Sequence, residues 1–224
     1  MKIRFLQHRG GPGLRLFFHG WSMDCHTVEM LDPAGEDLLV VWDYTGLDPA
    51  ELAQELAVYS SIRLAAWSLG VWAAARVLGE LGLRPAEAVA INGTLRPIHE
   101  EYGIAPELFR GTIENWPEER ARERFLLRMC GSRSGLDALT RPERTPASQQ
   151  SELAALERAI TTSAEPVDFY TRAVIGSGDR IFPAAAQRKF WAQTDTPIAE
   201  LDLPHCPFAG LTAFEEVFDL GRHR

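Results

Sequence analysis

Three residues of this 224-residue chain occur in the order Ser68, Asp179, His205. An unassisted serine hydroxyl is a weak nucleophile, and it becomes effective when a histidine accepts its proton and a carboxylate orients that histidine. Proteins that place such a serine on a sharp turn between a strand and a helix have the three residues in this same chain order. The trio therefore predicts acyl transfer through a covalent intermediate on Ser68.

The sequence around Ser68, RLAAWSLGVWAAA, is close to the pattern G-x-S-x-G. The residues before it predict a strand and those from 69 to 81 predict a helix, so the serine lies on the turn between them. Small residues are needed two positions before and two after it, because strand and helix approach closely there, and Ala66 and Gly70 meet this need. A serine that merely begins a helix would show the same residues, but the later aspartate and histidine favour a nucleophile.

Asp179 and His205 both follow predicted strands, in VIGSGDRIFP and LDLPHCPF. Open α/β sheets bind their ligands at the carboxyl ends of the strands, so both side chains are expected near the serine. Asp43, which also follows a strand, is the reserve choice for the acid. Asp202 is interpreted as structural, and Cys206 beside the histidine as a packing residue.

A tetrahedral intermediate carries a negative oxygen that needs hydrogen-bond donors. The backbone N–H groups of Leu69, directly after the serine, and of Trp21, in the early sequence LFFHGWSM, are the expected oxyanion hole. His19 could be a second base, although its place in a His-Gly turn favours a structural role. Cys25 and His26 show no metal-ligand spacing with other residues, and no metal or other cofactor is predicted.

Short apolar runs alternate with helical patterns along the chain, which is typical of a mostly parallel α/β sheet flanked by helices. The predicted strands are 2–7, 15–20, 37–44, 62–67, 87–93, 172–177 and 198–203, and the helices outside the middle of the chain are 49–59, 69–82, 184–194 and 207–220. Residues 94–167 lack strand signals and have helical patterns. They are predicted to form a helical lid inserted into one domain made of 1–93 and 168–224, with a flexible linker at 141–150.

The bulk composition excludes several classes of protein. The net charge of −8 disfavours nucleic-acid binding, and no apolar run approaches the roughly 20 residues of a membrane span. The three cysteines are widely spaced and odd in number, and the first residues lack the apolar core of a signal peptide. A cytoplasmic location is expected, and a monomer is compatible with the sequence.

Two sets of residues are candidates for substrate or carrier binding. Trp67 and Trp72 flank the serine and are either core residues or the lining of an acyl pocket. Arg120, Arg124 and Arg128 form a stripe at four-residue spacing, within a region (110–144) that has eight arginines and six acidic residues. The stripe is either a solvated helix face or a docking surface for an acidic partner.

Five stretches together resemble a known family: FFHGWSMD, AWSLGVWAA, AINGTLRPIHEEYGIAPELFRGT, GSGDRIFP and LPHCPF. They are similar to the BioG-type pimeloyl-[acyl-carrier protein] methyl ester esterases over nearly the whole chain, and the INGT…PI…GI run is the most specific part. The resemblance implies an α/β-hydrolase fold with Ser68 as nucleophile, Asp179 as acid and His205 as base. The implied reaction removes a methyl ester from the pimeloyl group of an acyl carrier protein during biotin synthesis, without a cofactor.

Two other functions are compatible with the same residues. A general carboxylesterase, or a thioesterase for other acyl carriers, would have the same turn and the same three side chains. A non-catalytic binding protein of the α/β-hydrolase fold is disfavoured, because a binder has no need of all three residues. Substrate profiling distinguishes the first alternative from the methyl ester esterase. Covalent labelling of the serine distinguishes the binding protein from an enzyme.

Overall fold

A seven-stranded sheet forms the centre of the molecule. The structure, a computed structural model, describes residues 1–33 and 35–222. The strands are β1 (Lys2–Gln7), β2 (Gly13–Phe18), β3 (Asp37–Trp42), β4 (Ser61–Trp67), β5 (Glu87–Ile91), β6 (Arg172–Gly176) and β7 (Ile198–Leu201). Their order across the sheet is β1-β3-β2-β4-β5-β6-β7. The prediction of seven strands is confirmed, and so is the mostly parallel sheet.

The helices, in chain order, are α1 (Ala50–Leu56), α2 (Leu69–Glu80), α3 (Pro106–Asn115), α4 (Glu119–Cys130), α5 (Arg133–Ala138), α6 (Pro146–Thr162), α7 (Ala184–Trp191) and α8 (Phe214–Asp219). A short 3-10 helix lies at Cys25–Val28. No helix in the described part of the chain is long and apolar enough to cross a membrane.

The position of each strand in the sheet explains its residue pattern. Every residue of β2 and β3 is buried, which is why these strands are near-continuous apolar runs. β1 pairs antiparallel with β3 at the sheet edge, and its first residues alternate between exposed and half-buried. All the other pairings are parallel. The carboxyl ends of β2 to β7 therefore all lie at the same end of the sheet.

Residues 94–167, all of them described, lie between β5 and β6 and hold the four helices α3 to α6 and one isolated bridge, Ile98 with Ile104. Apolar side chains of this segment, among them Phe109, Trp116 and Leu156, belong to the same core as the sheet. The predicted flexible linker at 141–150 is wrong for residues 146–150. Those residues begin α6, with Pro146 in the first turn and Thr145 as its N-cap.

The last predicted helix, 207–220, is also wrong at its start, because α8 begins at Phe214. Residues before it form turns, and Ala213 makes an isolated bridge with Asp32. Backbone hydrogen bonds to Asp32 hold this connection against the loop before β3. Because of this long-range contact, the helix begins later in the chain than the apolar spacing predicts.

The predicted core segment 168–224 includes residues 223 and 224, which lie outside the described residues.

Candidate active site

Ser68 lies on the turn between β4 and α2. Its backbone dihedral φ is positive, at 59°, and its ψ is −128°. A non-glycine residue adopts this conformation at a cost of about 1–3 kcal/mol, and such strain concentrates at functional sites. Gly70 explains part of the constraint, since a Cβ there would lie 2.5 Å from the carbonyl oxygen of His19. The side chain of Ala66 is accommodated and fully buried. The tight packing around the turn fixes the direction of the serine side chain.

The three residues named from their order in the sequence lie in one hydrogen-bonded chain. His205 Nε2 is 2.9 Å from Ser68 Oγ, and His205 Nδ1 is 2.7 Å from Asp179 Oδ2. The carboxylate accepts a hydrogen bond from Nδ1–H, which leaves Nε2 without a proton and able to accept the one on the serine. His205 and Asp179 are buried, and Ser68 is 6% exposed at a cavity. This geometry is able to move a proton from the hydroxyl to the imidazole.

Four hydrogen bonds fix the Asp179 carboxylate. Oδ1 accepts from the backbone N–H groups of Ile181 and Phe182, both at 2.8 Å. Oδ2 accepts from His205 and, at 3.0 Å, from Nε2 of the buried Gln187 on α7. The two sides of the carboxylate are therefore distinguished, and one oxygen is directed at the histidine.

Two buried side chains at the carboxyl ends of β4 and β5 donate hydrogen bonds to the loop that carries His205. Trp67 at the end of β4 donates from Nε1 to the His205 carbonyl oxygen at 2.7 Å. Asn92, directly after β5, donates from Nδ2 to the carbonyls of Pro204 (3.0 Å) and His205 (2.8 Å). Its Oδ1 accepts from Gly176 N at the end of β6. Asn92 thus ties the ends of two strands to the histidine loop.

Sequence reasoning did not identify Asn92 or Gln187 as site residues. Asn92 has φ 49°, and an Asn-Gly pair directly after a buried strand is the signal that could have found it, because asparagine tolerates this conformation. Gln187 gives a weaker signal, a polar residue at a buried position of an amphipathic helix. Neither signal specifies which atoms the side chain contacts.

A cavity of about 640 Å³ opens over Ser68. Trp67, Leu69, Trp21 and His205 line it beside the serine, and Trp72 does not, being buried in the core. Polar and apolar side chains of α3, α4 and α6 line most of the rest. The apolar ones include Phe109, Phe125, Met129 and Leu153, together with Trp116 directly after α3. The backbone N–H groups of Trp21 and Leu69 donate no hydrogen bond to another described residue. They are available to a ligand atom at the serine.

The three arginines of the predicted stripe do not share one position relative to the cavity. Arg124 and Arg128 line it, together with Arg180 from the loop after β6, and all three are exposed. None of the three forms an ion pair with another described residue. Arg120, near the start of α4, is exposed and is not among the residues that line the cavity.

His19 is buried away from solvent, and burial lowers its pKa to about 3. Its Nδ1 accepts from the N–H of Gly20 at 2.9 Å, and its Nε2 contacts the hydroxyl of Thr27, which in turn donates to the carbonyl of Asp24. A neutral ring with its proton on Nε2 satisfies all of these contacts. His19 therefore fixes the loop after β2.

The remaining candidates have other partners. Asp43, the reserve acid, pairs with Lys2 and Arg144. Cys206 is buried, and its contact with Cys130 together with burial raises its pKa well above the usual value, so its thiol is a poor nucleophile. Asp202 lies exposed just beyond the end of β7.

Cys25, His26 and Glu29 come within ligand distance of one another, a cluster that their sequence spacing did not indicate. The guanidinium of Arg4 lies among them, 3.3 Å from the Cys25 sulfur and 3.0 Å from a Glu29 oxygen. Its positive charge already neutralises the acidic group and occupies the place that a cation would need.

The fold and this turn define an α/β hydrolase. The structure superposes on that of a thermophilic esterase from Thermogutta terrifontis with a TM-score of 0.62, at 19% identity, over 97% of this chain and 90% of that one. At this identity the likeness shows the fold. The turn after β4 that carries Ser68, and the loops after β6 and β7 that carry Asp179 and His205, lie where such a fold usually places a nucleophile, an acid and a base.

The chain belongs to the BioG family: the model described as "Pimeloyl-ACP methyl esterase BioG" matches residues 1–217. The crystal structure of BioG from Haemophilus influenzae is similar, with a TM-score of 0.86 and 34% identity over 98% of this chain and 100% of that one. A curated relative from Bacteroides fragilis, named malonyl-[acyl-carrier protein] O-methyltransferase, is 36% identical over 88% of this chain. The chain spans 41% of the length of that relative.

Proposed function

We propose that this protein is a serine esterase that hydrolyses the methyl ester of pimeloyl-[acyl-carrier protein] methyl ester, releasing pimeloyl-[acyl-carrier protein] and methanol for biotin synthesis. The observation that carries the proposal is the hydrogen-bonded chain of Ser68, His205 and Asp179 beside a cavity, in a member of the BioG family. A carrier-bound substrate of this kind is cytoplasmic, and the enzyme would act there.

The geometry supports a two-step mechanism. His205 accepts the proton of Ser68 as Oγ attacks the ester carbonyl, and it then donates that proton to the departing methanol. Water activated by the same imidazole hydrolyses the acyl-enzyme and releases the acid. Asp179 keeps the ring in the required tautomer and stabilises the positive charge that forms on it. No step needs a cofactor.

The backbone N–H groups of Trp21 and Leu69 are proposed as the oxyanion hole. Both residues line the cavity beside Ser68, and both N–H groups are free of other described partners. Leu69 is the first residue of α2, so its N–H also carries the favourable potential of a helix N-terminus. A donor of this kind contributes about 3 kcal/mol to lowering the barrier.

The enzyme must cleave a terminal ester while sparing the thioester at the carrier. We propose that α3 to α6 act as a lid that sets this selectivity by geometry, because residues of α3, α4 and α6 form most of the cavity wall. If the carrier docks outside, an extended acyl chain brings its far end to Ser68 and leaves the thioester near the entrance.

The name of the Bacteroides relative describes methyl transfer, and less than half of that longer protein corresponds to this chain.

Carrier docking is proposed on the arginine-rich side of α4. Arg124 and Arg128 line the cavity and have no ionic partner among the described residues, and Arg120 extends the same helix face outward. Acyl carrier proteins are acidic, and their phosphopantetheine arm adds a phosphodiester, so exposed guanidinium groups at the entrance would attract them.

Reversing two of these charges should weaken the carrier complex. In Arg124→Glu/Arg128→Glu we expect KM for the carrier substrate to rise about tenfold at low salt, and the difference to shrink as ionic strength increases. The matched control is Arg9→Glu/Arg84→Glu, which makes the same charge change near the amino ends of β2 and β5, at the opposite edge of the sheet. Equal KM values for the two double variants would contradict the docking proposal.

The proposed function is tested by incubating the purified protein with pimeloyl-[acyl-carrier protein] methyl ester. We expect methanol to be released while the thioester stays intact. Gas chromatography measures the methanol, and mass spectrometry of the carrier shows whether the thioester is retained. Release of the carrier thiol would instead indicate a thioesterase. Turnover of short p-nitrophenyl esters without turnover of the carrier substrate would indicate a general carboxylesterase.

A further inference from the structure

The turn that carries Trp21 is held by groups from outside the sheet. Ser22 in this turn has φ 70°, a conformation that a non-glycine residue keeps only where its surroundings impose it. Its own hydroxyl is buried and makes no hydrogen bond with the described residues, so its side chain does not hold the turn. The constraint must come from the backbone and from neighbouring elements.

Gln149 on α6 supplies much of that constraint. Its side-chain Nε2 donates to the carbonyl of Ser22 at 2.9 Å, and its backbone carbonyl accepts from the indole N–H of Trp21 at 2.7 Å. Its Oε1 accepts from the indole N–H of Trp116 at 3.1 Å. Gln149 is buried, and these bonds join residues up to 128 positions apart.

Glu152, one turn further along α6, contacts the other side of the same turn. Its Oε2 accepts from the N–H of Ser22 at 3.3 Å, and its Oε1 accepts from the N–H of Tyr44 at 2.9 Å. The carboxylate is fully buried, and Arg144 pairs both with it and with Asp43 after β3. A buried charge that is paired in this way stabilises one geometry strongly, because breaking the pair leaves an uncompensated charge.

We propose that Gln149 and Glu152 are positioning residues that act from α6 to hold the Trp21–Ser22 turn, so that the backbone N–H of Trp21 points at the oxyanion formed at Ser68. The proposal rests on the proposed esterase function. It gives these two side chains of α6 a part in positioning the oxyanion donor, in addition to the contribution of the α3–α6 segment to the cavity wall. Neither side chain needs to touch the substrate, since both act through the turn.

The distinction from a purely structural helix lies in which kinetic constant changes. An oxyanion donor acts on the transition state more than on the bound ester, so its displacement lowers kcat and leaves KM nearly constant. A boronic acid forms a tetrahedral adduct with the serine, so its affinity should fall by the same factor as kcat. A helix that merely shapes the cavity would change KM.

The test compares Gln149→Met and Glu152→Gln with Gln150→Met. Gln150 is the neighbouring residue of α6 and donates to the carbonyl of Ile113 within the α3–α6 segment, without a bond to the turn. For both test variants we expect kcat on p-nitrophenyl butyrate to fall about 10- to 100-fold and the dissociation constant of phenylboronic acid to rise in parallel. KM should change less than about threefold, and Gln150→Met should stay within about twofold of the parent protein.

Two variants are used because Glu152→Gln breaks the ion pair with Arg144 and could lower the yield of folded protein, whereas Gln149→Met keeps the length of the side chain and breaks no ion pair. Equal kcat values for Gln149→Met and Gln150→Met would overturn the positioning role, as would a rise in KM without a change in boronate binding. Those results leave the esterase function standing if the parent protein turns over the ester. A parent protein that hydrolyses neither p-nitrophenyl butyrate nor the carrier substrate would overturn both.

Discussion

Replacing Ser68 with alanine is expected to lower kcat on any ester substrate by about 10⁴- to 10⁶-fold. In the proposed mechanism this hydroxyl forms the covalent intermediate, and no other serine contacts His205 among the described residues. The measurement is kcat for a p-nitrophenyl ester, together with covalent labelling by a fluorophosphonate, which should be lost. Binding of the substrate to the cavity should persist, because the other side chains that line it are unaltered.

The matched control is Ser60→Ala. Ser60 is exposed and lies just before β4, at the opposite end of the strand that leads to Ser68. We expect its labelling and turnover to equal those of the parent protein. Undiminished labelling in Ser68→Ala would assign the nucleophile to another residue. Labelling that is absent in the parent protein would favour a binding protein of the same fold.

Asp179→Asn is expected to lower kcat about 10⁴-fold while the fold is retained. Each carboxylate oxygen accepts two hydrogen bonds, from Ile181 and Phe182 on one side and from Gln187 and His205 on the other. An amide has one acceptor oxygen, so its NH2 group must face donors on one side. If it faces His205 Nδ1, the ring takes the tautomer with its proton on Nε2, and it is then unable to accept the proton of Ser68.

Steady-state kinetics and thermal unfolding should be measured together for this variant. Asp202→Asn is the control, since Asp202 is exposed and lies just after β7 on the loop that leads to His205. We expect the control to change kcat by less than about twofold. If Asp179→Asn retained more than about a tenth of the activity, another carboxylate would have to orient the histidine, and the proposed role of Asp179 would be wrong.

The hydrogen-bonded chain at the site could be anticipated from the sequence because its signals are local. Ser68 lies between a short apolar run and a helix-forming run, and Asp179 and His205 each follow a run of β-prone residues. In a parallel sheet, short-range rules of this kind are enough to place all three on one edge. The His205–Ser68 contact spans 137 positions. Strand order places both residues at the same end of the sheet, and the loop after β7, held by Trp67 and Asn92, then reaches the serine after β4.

The errors in secondary structure occurred where distant contacts determine the backbone. Residues 146–150 are a proline followed by small and polar residues, which favours a linker in the sequence, but Gln149 is buried against the Trp21 turn and the residues are helical. Residues before Phe214 have apolar spacing that favours a helix, but backbone bonds to Asp32 extend them. Local propensity is weak compared with such contacts.

By itself the sequence determined the seven strands, the helical character of 94–167 and the trio Ser68, Asp179 and His205. These depend on periodicity, on turn chemistry and on chain order, which are properties of neighbouring residues. The tertiary structure alone decided which polar side chains support the trio, namely Asn92, Gln187, Gln149 and Glu152. The physical reason is that burial can be inferred from a pattern, whereas the partner of a buried polar group depends on how distant elements pack. For Asn92, Gln149 and Glu152 that partner is more than a hundred positions away.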